Sequence, residues 1–193
     1  TQKFFSNITI VDKKTYSADL PFFKKFKRKT DKIKFFDICN YKKLLKIITP
    51  NSIIVHFAAE SHVDNSFKSS LTFTKSNALG THVLLEVCRV KKPKKIIIIS
   101  TDEVYGESIL NFKNEKSLLS PTNPYSASKA AADHLANAYS KTYDLNITLS
   151  HACNNYGPHQ FPEKFIPLMI LNCLKKHPLP IYGKGDNQRD WLF

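Results

Sequence analysis

The feature that most constrains the fold is an alternation of short apolar, β-branched runs with stretches of helical periodicity. Strands are predicted at residues 8–11, 33–36, 52–57, 95–100 and 146–150, and helices at residues 41–48, 72–90 and 127–143. Strands that alternate with helices are typical of a parallel sheet with helices on both faces. The sequence therefore predicts an α/β fold with a doubly wound parallel sheet.

A glycine-rich turn is missing from this pattern. A doubly wound nucleotide-binding domain usually opens with a strand and a turn that presents backbone N–H groups to a pyrophosphate. None of the 5 glycines of the chain forms such a turn. Asp12 ends the first predicted strand and is placed like the ribose-binding acidic residue downstream of that turn, although strand-terminal aspartates are also common in ordinary turns. We expect the first βα unit to be missing from this chain.

The composition restricts the class of protein. The formal net charge of +13 is compatible with a nucleic-acid partner, because a basic surface binds phosphates. However, the excess is almost all lysine, with arginine only at Arg28, Arg89 and Arg189, and we expect no nucleic-acid partner. No apolar run approaches the ~20 residues that span a bilayer, so we expect no membrane association.

The metal-binding and thiol residues predict no metal. The 4 cysteines are far apart and outline neither a zinc site nor a disulfide framework, which favours a reducing, cytoplasmic location. His56 and His62 have no third ligand with zinc spacing, and we interpret both as structural.

Tyr125 and Lys129 have the spacing that puts a phenol and an ammonium on one face of a helix, one turn apart. The lysine charge is expected to lower the pKa of the tyrosine by roughly 2 to 3 units, which suits a base that deprotonates a substrate hydroxyl. The spacing alone is not specific, because the chain has 8 tyrosines and many lysines.

Thr101, Asp102 and Glu103 directly follow the strongest predicted strand. Ligands of open α/β sheets bind at the carboxyl ends of the strands. Two adjacent carboxylates there suit a reaction that needs both an acid and a base. A solvated acidic turn that caps the next helix would have the same local sequence.

Five segments carry a resemblance to a known family. They are HFAAESHVDNS (56–66), STDEVYGE (100–107), TNPYSASKAAADH (122–134), NNYGPHQFPEKFIPLMI (154–170) and PLPIYGKGDNQRDWLF (178–193). In order and spacing they resemble the nucleoside-diphosphate-glucose 4,6-dehydratases of the extended short-chain dehydrogenase/reductase family, and the similarity covers nearly the whole chain from Ile8. Two departures are the absent glycine-rich loop and Asn65, which stands where many bacterial relatives carry arginine.

The resemblance implies a Rossmann-type NAD-binding core at residues 1–150 and the start of a smaller nucleotide-sugar-binding lobe at 151–193, each incomplete at its outer end. It also implies a homodimer when the protein is full length. The implied NAD contacts are Asp12, Lys13, Thr15, Asp37, Ile38, Phe57, Ala58, Ala59, Ser76, Tyr125, Lys129 and Asn155. The implied substrate contacts are Ser61, Thr101, Asn154, Lys164, Phe165, Pro180, Ile181, Tyr182 and Arg189, although residues 180–182 are also compatible with an ordinary strand and Arg189 with a surface ion pair.

The implied reaction converts dTDP-D-glucose to its 4-keto-6-deoxy form. Tyr125 deprotonates the C4 hydroxyl with help from Lys129 as hydride passes to NAD, and Thr101 orients that hydroxyl. Glu103 then takes the C5 proton, Asp102 protonates the departing C6 hydroxyl, and hydride returns to C6, which regenerates NAD. UDP-glucose is a second candidate substrate. The sequence of residues 65–67 is more similar to that of UDP-glucose enzymes, whereas the sequences of residues 59–61 and 189–191 are more similar to those of dTDP-glucose enzymes. The sequence is also compatible with a 4-epimerase of the same fold, with a catalytically silent fragment and with a basic nucleic-acid-binding protein.

Overall fold

The computed structural model of the protein describes residues 7–107 and 112–193. Its strands are β1 (Thr9–Asp12), β2 (Lys32–Phe35), β3 (Ile53–His56), β4 (Lys95–Thr101), β5 (Ile147–Ala152), β6 (Asn154–Asn155) and β7 (Trp191–Leu192). Its α-helices are α1 (Leu20–Phe26), α2 (Tyr41–Leu45), α3 (Val63–Lys68), α4 (Ser70–Phe73), α5 (Gly80–Lys91), α6 (Pro124–Tyr143) and α7 (Phe165–Lys175). A π-helix spans Thr74–Leu79 and a 3₁₀-helix spans Asp102–Tyr105.

The chain divides into two compact units, Thr1–His151 and Ala152–Phe193. In the first unit β1 pairs in parallel with β2, and a second sheet has the order β3-β4-β5, in which β3 and β4 are parallel. The predicted α/β, Rossmann-type fold is confirmed. In the second unit β6 pairs in parallel with β7, and α7 is the single helix among the residues described there.

The main core of the first unit lies between β4 and the helices that pack on it. Ile96 and Ile98 of β4, Leu85 of α5 and Ala136 of α6 have almost no exposed surface. Ile97 and Ile99 point the other way along the strand and are half-buried. A strand covered on both faces explains the run of four isoleucines, because each face requires an apolar residue at alternate positions.

Two helix predictions differ from the structure. The stretch predicted as one helix at 72–90 contains the π-helix, which turns the polar side chains of Ser76 and Asn77 into the protein. Helix α6 begins at Pro124 rather than at residue 127, because Asn123 and Ser126 form a reciprocal capping box and proline suits the first turn. This earlier start brings Tyr125 into the helix.

Across the described ranges, no helix is both long enough and apolar enough to cross a lipid bilayer.

Candidate active site

Thr101, Asp102 and Glu103 lie where β4 ends and a tight turn begins. Thr101 is the last residue of β4 and is buried, and its Oγ1 accepts a hydrogen bond from the Glu103 backbone N–H at 3.3 Å. The same hydroxyl donates to Asp102 Oδ1 at 3.3 Å. The threonine therefore fixes the start of the 3₁₀-helix that carries both carboxylates. The three residues lie at the carboxyl end of the strongest strand, as predicted.

Tyr125 lies in the first turn of α6 and is only 9% exposed, with its ring edge-on to Phe73 at 6.2 Å between centroids. Burial, and next the negative charge of Glu103, raise the pKa of Tyr125 to about 12, while a hydrogen bond with the Thr101 side chain acts in the opposite direction. The expected lowering of the Tyr125 pKa is therefore wrong in direction. Burial of the phenol and the nearby Glu103 carboxylate raise the pKa, and neither can be inferred from helical spacing.

Lys129 is 7% exposed and donates from Nζ to the Ile99 backbone carbonyl at 2.7 Å. Burial lowers the pKa of Lys129, and the negative charge of Asp133 opposes that change. The structure thus places Thr101, Glu103, Tyr125 and Lys129 in one neighbourhood around the end of β4.

Asn123 holds Glu103 towards this neighbourhood and was missed by the sequence reasoning. Its Nδ2 donates to Glu103 Oε2 at 3.4 Å, while its Oδ1 accepts from the Ser126 backbone N–H at 2.9 Å. One side chain therefore starts α6 and positions a predicted catalytic carboxylate. Its place directly before a Pro-Tyr helix start was the available signal.

Asn77 is a second residue that the sequence reasoning missed. Its amide nitrogen donates to the Glu60 carbonyl at 2.9 Å and to Ser128 Oγ at 2.8 Å, and its Oδ1 accepts from the Glu60 N–H at 2.8 Å. Ser128 Oγ in turn donates to the Tyr125 carbonyl at 2.7 Å. This buried network ties the loop after β3 to the first turn of α6.

Two of the predicted NAD contacts, Lys13 and Ser76, are hydrogen-bonded to each other in the structure. Lys13 Nζ donates to Ser76 Oγ at 2.9 Å and to Glu60 Oε1 at 2.8 Å, and Lys13 and Ser76 are 63 residues apart in the chain. A backbone hydrogen bond from Cys39, with a smaller effect of the Lys13 charge, lowers the pKa of Asp37. Lys13, Ser76 and Asp37 therefore share one region at the ends of β1 and β2.

Other predicted NAD contacts make local interactions. Asp12 Oδ1 accepts from the Lys14 backbone N–H, which is the ordinary turn that a strand-terminal aspartate can form, and Thr15 Oγ1 lies 3.3 Å from Ser17 Oγ. Ile38 packs against the main core. The positions that follow β3 are exposed; they are Phe57, Ala58, Ala59 and, beyond them, the predicted substrate contact Ser61.

The remaining predicted contacts belong to the second unit. Asn154 and Asn155 form β6, Lys164 precedes α7, and the Phe165 ring stacks on Trp191 with centroids 6.0 Å apart. Arg189 Nη1 donates to the Gln188 carbonyl at 2.7 Å. Residues 180–182 form neither a helix nor a strand; Ile181 and Tyr182 are exposed and Pro180 is partly buried.

The described part of the chain has no cluster of three or more His, Cys, Asp or Glu side chains that could hold a metal ion.

A family model described as GDP-mannose 4,6 dehydratase matches residues 6–193. The chain belongs to this family. The family match covers both units, the Thr101–Glu103 turn and the Tyr125–Lys129 helix start.

Curated relatives of the family are also similar to this chain. A dTDP-D-glucose 4,6-dehydratase from Dictyostelium discoideum is 50% identical over 152 residues, which is 73% of this chain and 35% of that protein. A trifunctional UDP-glucose 4,6-dehydratase/UDP-4-keto-6-deoxy-D-glucose 3,5-epimerase/UDP-4-keto-L-rhamnose-reductase from Arabidopsis thaliana is 46% identical over 197 residues, or 96% of this chain and 29% of that protein.

Among solved structures, a dTDP-glucose 4,6-dehydratase from Streptomyces venezuelae with NAD and TYD bound has a TM-score of 0.94 and 38% identity. The alignment covers 96% of this chain and 58% of that one. The chain thus spans less than two thirds of each of these relatives.

Proposed function

We propose that the protein containing this chain is an NAD-dependent dehydratase that converts dTDP-D-glucose to dTDP-4-dehydro-6-deoxy-D-glucose. The observation that carries the proposal is the convergence of Thr101, Glu103 and Tyr125 at the end of β4. Glu103 is close enough to Tyr125 for its charge to raise the pKa of the phenol, and the Thr101 side chain is close enough to act on that pKa in the opposite direction. A base for C4 and a base for C5 of one sugar need such proximity.

The residues of the first unit suit NAD. The exposed strand-end residues Phe57, Ala58 and Ala59 follow β3, whose parallel neighbour β4 ends in Thr101. Lys13, Ser76 and Asp37 supply polar groups at the ends of β1 and β2. When bound, oxidised NAD supplies a hydride acceptor and a positive charge. Residues 1–150 constitute the NAD-binding core in this proposal, and residues 151–193 begin the nucleotide-sugar lobe.

Tyr125 is the base for the C4 hydroxyl. With a pKa near 12, only about one phenol in 100,000 is ionised at neutral pH, so Tyr125 requires additional positive charge to act as a base. Thr101 turns its single hydroxyl proton from Asp102 Oδ1 to the forming alkoxide or phenolate and thereby orients the C4 hydroxyl. Lys129 holds the ribose hydroxyls and contributes positive charge from one helical turn away.

Glu103 and Asp102 act on the sugar after C4 has been oxidised. The C4 ketone acidifies the proton on C5, and Glu103 removes it while Asp102 protonates the C6 hydroxyl, which leaves as water. The hydride taken from C4 would then return to C6 and C5 would take up a proton, so that the 4-keto-6-deoxy product forms and NAD is regenerated. Asn123 holds the Glu103 carboxylate during this step. An epimerase of the same fold acts only at C4 and does not need this pair.

The proposed substrate contacts are, in the second unit, Asn154, Lys164, Phe165, Pro180, Ile181, Tyr182 and Arg189 and, in the first unit, Ser61 and Thr101. Asn155 is a proposed NAD contact. The two curated relatives described above are 4,6-dehydratases of dTDP-D-glucose and of UDP-glucose, which supports a nucleotide-linked glucose as the substrate. We also expect a homodimer, because Phe67 and Leu71 on α3 and α4 are 66% and 83% exposed and offer an apolar surface to a second copy. Nucleic acid and membranes are not among the proposed partners.

The test uses the full-length enzyme in heavy water with dTDP-glucose, UDP-glucose and GDP-mannose as separate substrates. We expect dTDP-glucose to give the highest kcat/KM and a 4-keto-6-deoxy product labelled with deuterium at C5. Glu103→Gln should still form enzyme-bound NADH but little product, whereas Tyr125→Phe should slow NADH formation ~100- to 10,000-fold. The exposed Glu107 provides the control, and Glu107→Gln should behave as wild type. A C4-inverted sugar without C5 label would establish the epimerase instead.

A further inference from the structure

Helix α6 carries a third charged residue on the face that presents Tyr125 and Lys129. Asp133 follows Lys129 by four residues, as Lys129 follows Tyr125, so the three lie one above the other on the helix. Asp133 is fully buried and Lys129 nearly so. A buried carboxylate is costly unless it is paired or hydrogen-bonded, so its presence here requires a reason.

The Asp133 carboxylate is held on one side by two strands. Its Oδ2 accepts from Ser100 Oγ of β4 at 2.8 Å and lies 3.0 Å from His151 Nε2 of β5. His151 Nδ1 lies 2.6 Å from the Tyr105 hydroxyl. With a neutral imidazole, the phenol of Tyr105 donates to Nδ1 and Nε2–H donates to the carboxylate, so the hydrogen bonds all point towards Asp133.

The other carboxylate oxygen is not satisfied in this way. Asp133 Oδ1 is buried and has no hydrogen-bond partner among the described residues. The two groups on Oδ2, Ser100 and His151, therefore fix the orientation of the carboxylate and leave Oδ1 unpaired among the described residues. Lys129, one turn earlier on α6, is a positive group that the Asp133 charge acts on without a direct ion pair among the described residues. The other titratable groups around the two are His151, Tyr105, Tyr125 and His56.

We propose that Asp133 is a positioning residue that keeps the buried Lys129 ammonium charged and oriented beside Tyr125. Ser100 and His151 hold the carboxylate in place for this purpose. Lys129 Nζ uses one donor on the Ile99 carbonyl, and its remaining N–H groups are then available for a ligand. The effect of Asp133 on catalysis rests on the proposed function, because a charged Lys129 assists Tyr125 only in that reaction. The interaction between the charges of Asp133 and Lys129 does not depend on the proposed function.

The test compares Asp133→Asn with Asp144→Asn in the full-length enzyme. Asp144 ends the same helix and is exposed, and asparagine tolerates its left-handed backbone, so this control removes the same charge at a distance. Nitrogen NMR of the Lys129 Nζ signal, measured as a function of pH, should show Lys129 losing its proton roughly one to two pH units lower in Asp133→Asn. Asp144→Asn should leave that titration in place.

A second readout follows the reaction. The alkaline limb of the pH profile for NADH formation should move down by the same roughly one to two pH units in Asp133→Asn, with KM for the nucleotide sugar changed less than kcat. Ser100→Ala, which removes a hydrogen bond but keeps the charge, should leave the alkaline limb near its wild-type position. A purely structural role for Asp133 would lower stability without moving either titration.

If Asp133→Asn does not fold, the wild-type protein still decides the matter. The carboxyl carbon signal of Asp133 should shift at the pH where Lys129 Nζ loses its proton, because each group senses the charge of the other. Independent titration of the two signals, or an unchanged Lys129 titration in folded Asp133→Asn, would overturn the proposal. A wild-type enzyme that forms no NADH would refute the proposed function alone, since the NMR titrations do not depend on turnover.

Discussion

Replacing Gly106 by alanine tests whether the turn after β4 is as tightly constrained as the structure indicates. Gly106 ends the 3₁₀-helix of Asp102 and Glu103 with φ 73° and ψ −166°, a backbone region that is essentially restricted to glycine and costs other residues roughly 1 to 3 kcal/mol. A Cβ at this position would lie 2.2 Å from the Ser120 carbonyl oxygen, far below the 3.0 Å that real Cβ contacts respect.

The Ser120 segment cannot move away freely. Its backbone N–H donates to the Val104 carbonyl at 2.9 Å, within the same turn. Relieving the clash breaks this hydrogen bond, at a further cost of about 0.5 to 1.5 kcal/mol. Together with the backbone strain, Gly106→Ala should lower the free energy of unfolding by about 2 to 4 kcal/mol. With a urea m-value of about 2 kcal/mol/M, the midpoint falls by roughly 1 to 2 M.

Gly80→Ala is the matched control in the same compact unit. A Cβ there would meet Ile38 Cγ2 at 2.8 Å, but this is a side-chain methyl group, and Gly80 has the ordinary helical φ of −59°. The gain in helix propensity of about 1 kcal/mol partly offsets the displacement of Ile38, so Gly80→Ala should cost clearly less than Gly106→Ala. Urea unfolding followed by circular dichroism should therefore separate the two variants by at least about 1 M. Equal midpoints would show that the turn adapts and that the strain argument is wrong.

Two further changes probe buried polar groups. Asn77→Ala removes the hydrogen-bond partners of the Glu60 backbone and of Ser128, and should lower the free energy of unfolding by about 2 to 4 kcal/mol. In the same urea titration Asn40→Ala, which removes an exposed helix cap, should lower it by only about 1 kcal/mol. Similar losses in the two variants would contradict the importance of the buried network. Burial, and next the charge of Lys129, lower the pKa of His56 from its ordinary 6.5 to about 3, so its neutral form stabilises the fold above pH 6.5 and this stability is lost as the pH falls towards 3. Between pH 6.5 and 3 the free energy of unfolding should fall by up to about 1.4 kcal/mol for each pH unit. His56→Gln retains a donor towards Thr81 and should flatten the dependence of the free energy of unfolding on pH between about pH 6 and 5. An unchanged dependence would refute the assignment to His56.

Much of the fold could be predicted because β4 and the neighbouring strands and helices have clear local sequence patterns. A run of isoleucines covered on both faces leaves a strong local pattern, and the alternation of strands and helices then specifies a parallel sheet. The π-helix at Thr74–Leu79 could not be predicted, because its apolar spacing resembles that of an α-helix. Within it Asn77 makes long-range hydrogen bonds to Glu60 and Ser128, which no local pattern records.

The candidate site was predicted unevenly for a related reason. The strand-end position of Thr101–Glu103 and the helical spacing of Tyr125 and Lys129 are local features, and the structure brings these residues together. The pKa of Tyr125 depends on burial and on Glu103, which lies 22 residues earlier in the chain. Asp133 has the same helical spacing after Lys129, but its significance depends on Ser100 and His151 from two different strands.

Asn123 places a limit on how this protein can be made more stable. Its oxygen caps α6 and its nitrogen holds Glu103, so the two halves of one amide serve two different requirements. Aspartate is as good a helix cap but would set a second negative charge against Glu103, and serine has no donor that reaches as far. A substitution of Asn123 that is selected to stabilise α6 therefore also changes the environment of the Glu103 carboxylate. Asparagine is the side chain that both caps the helix and donates to Glu103.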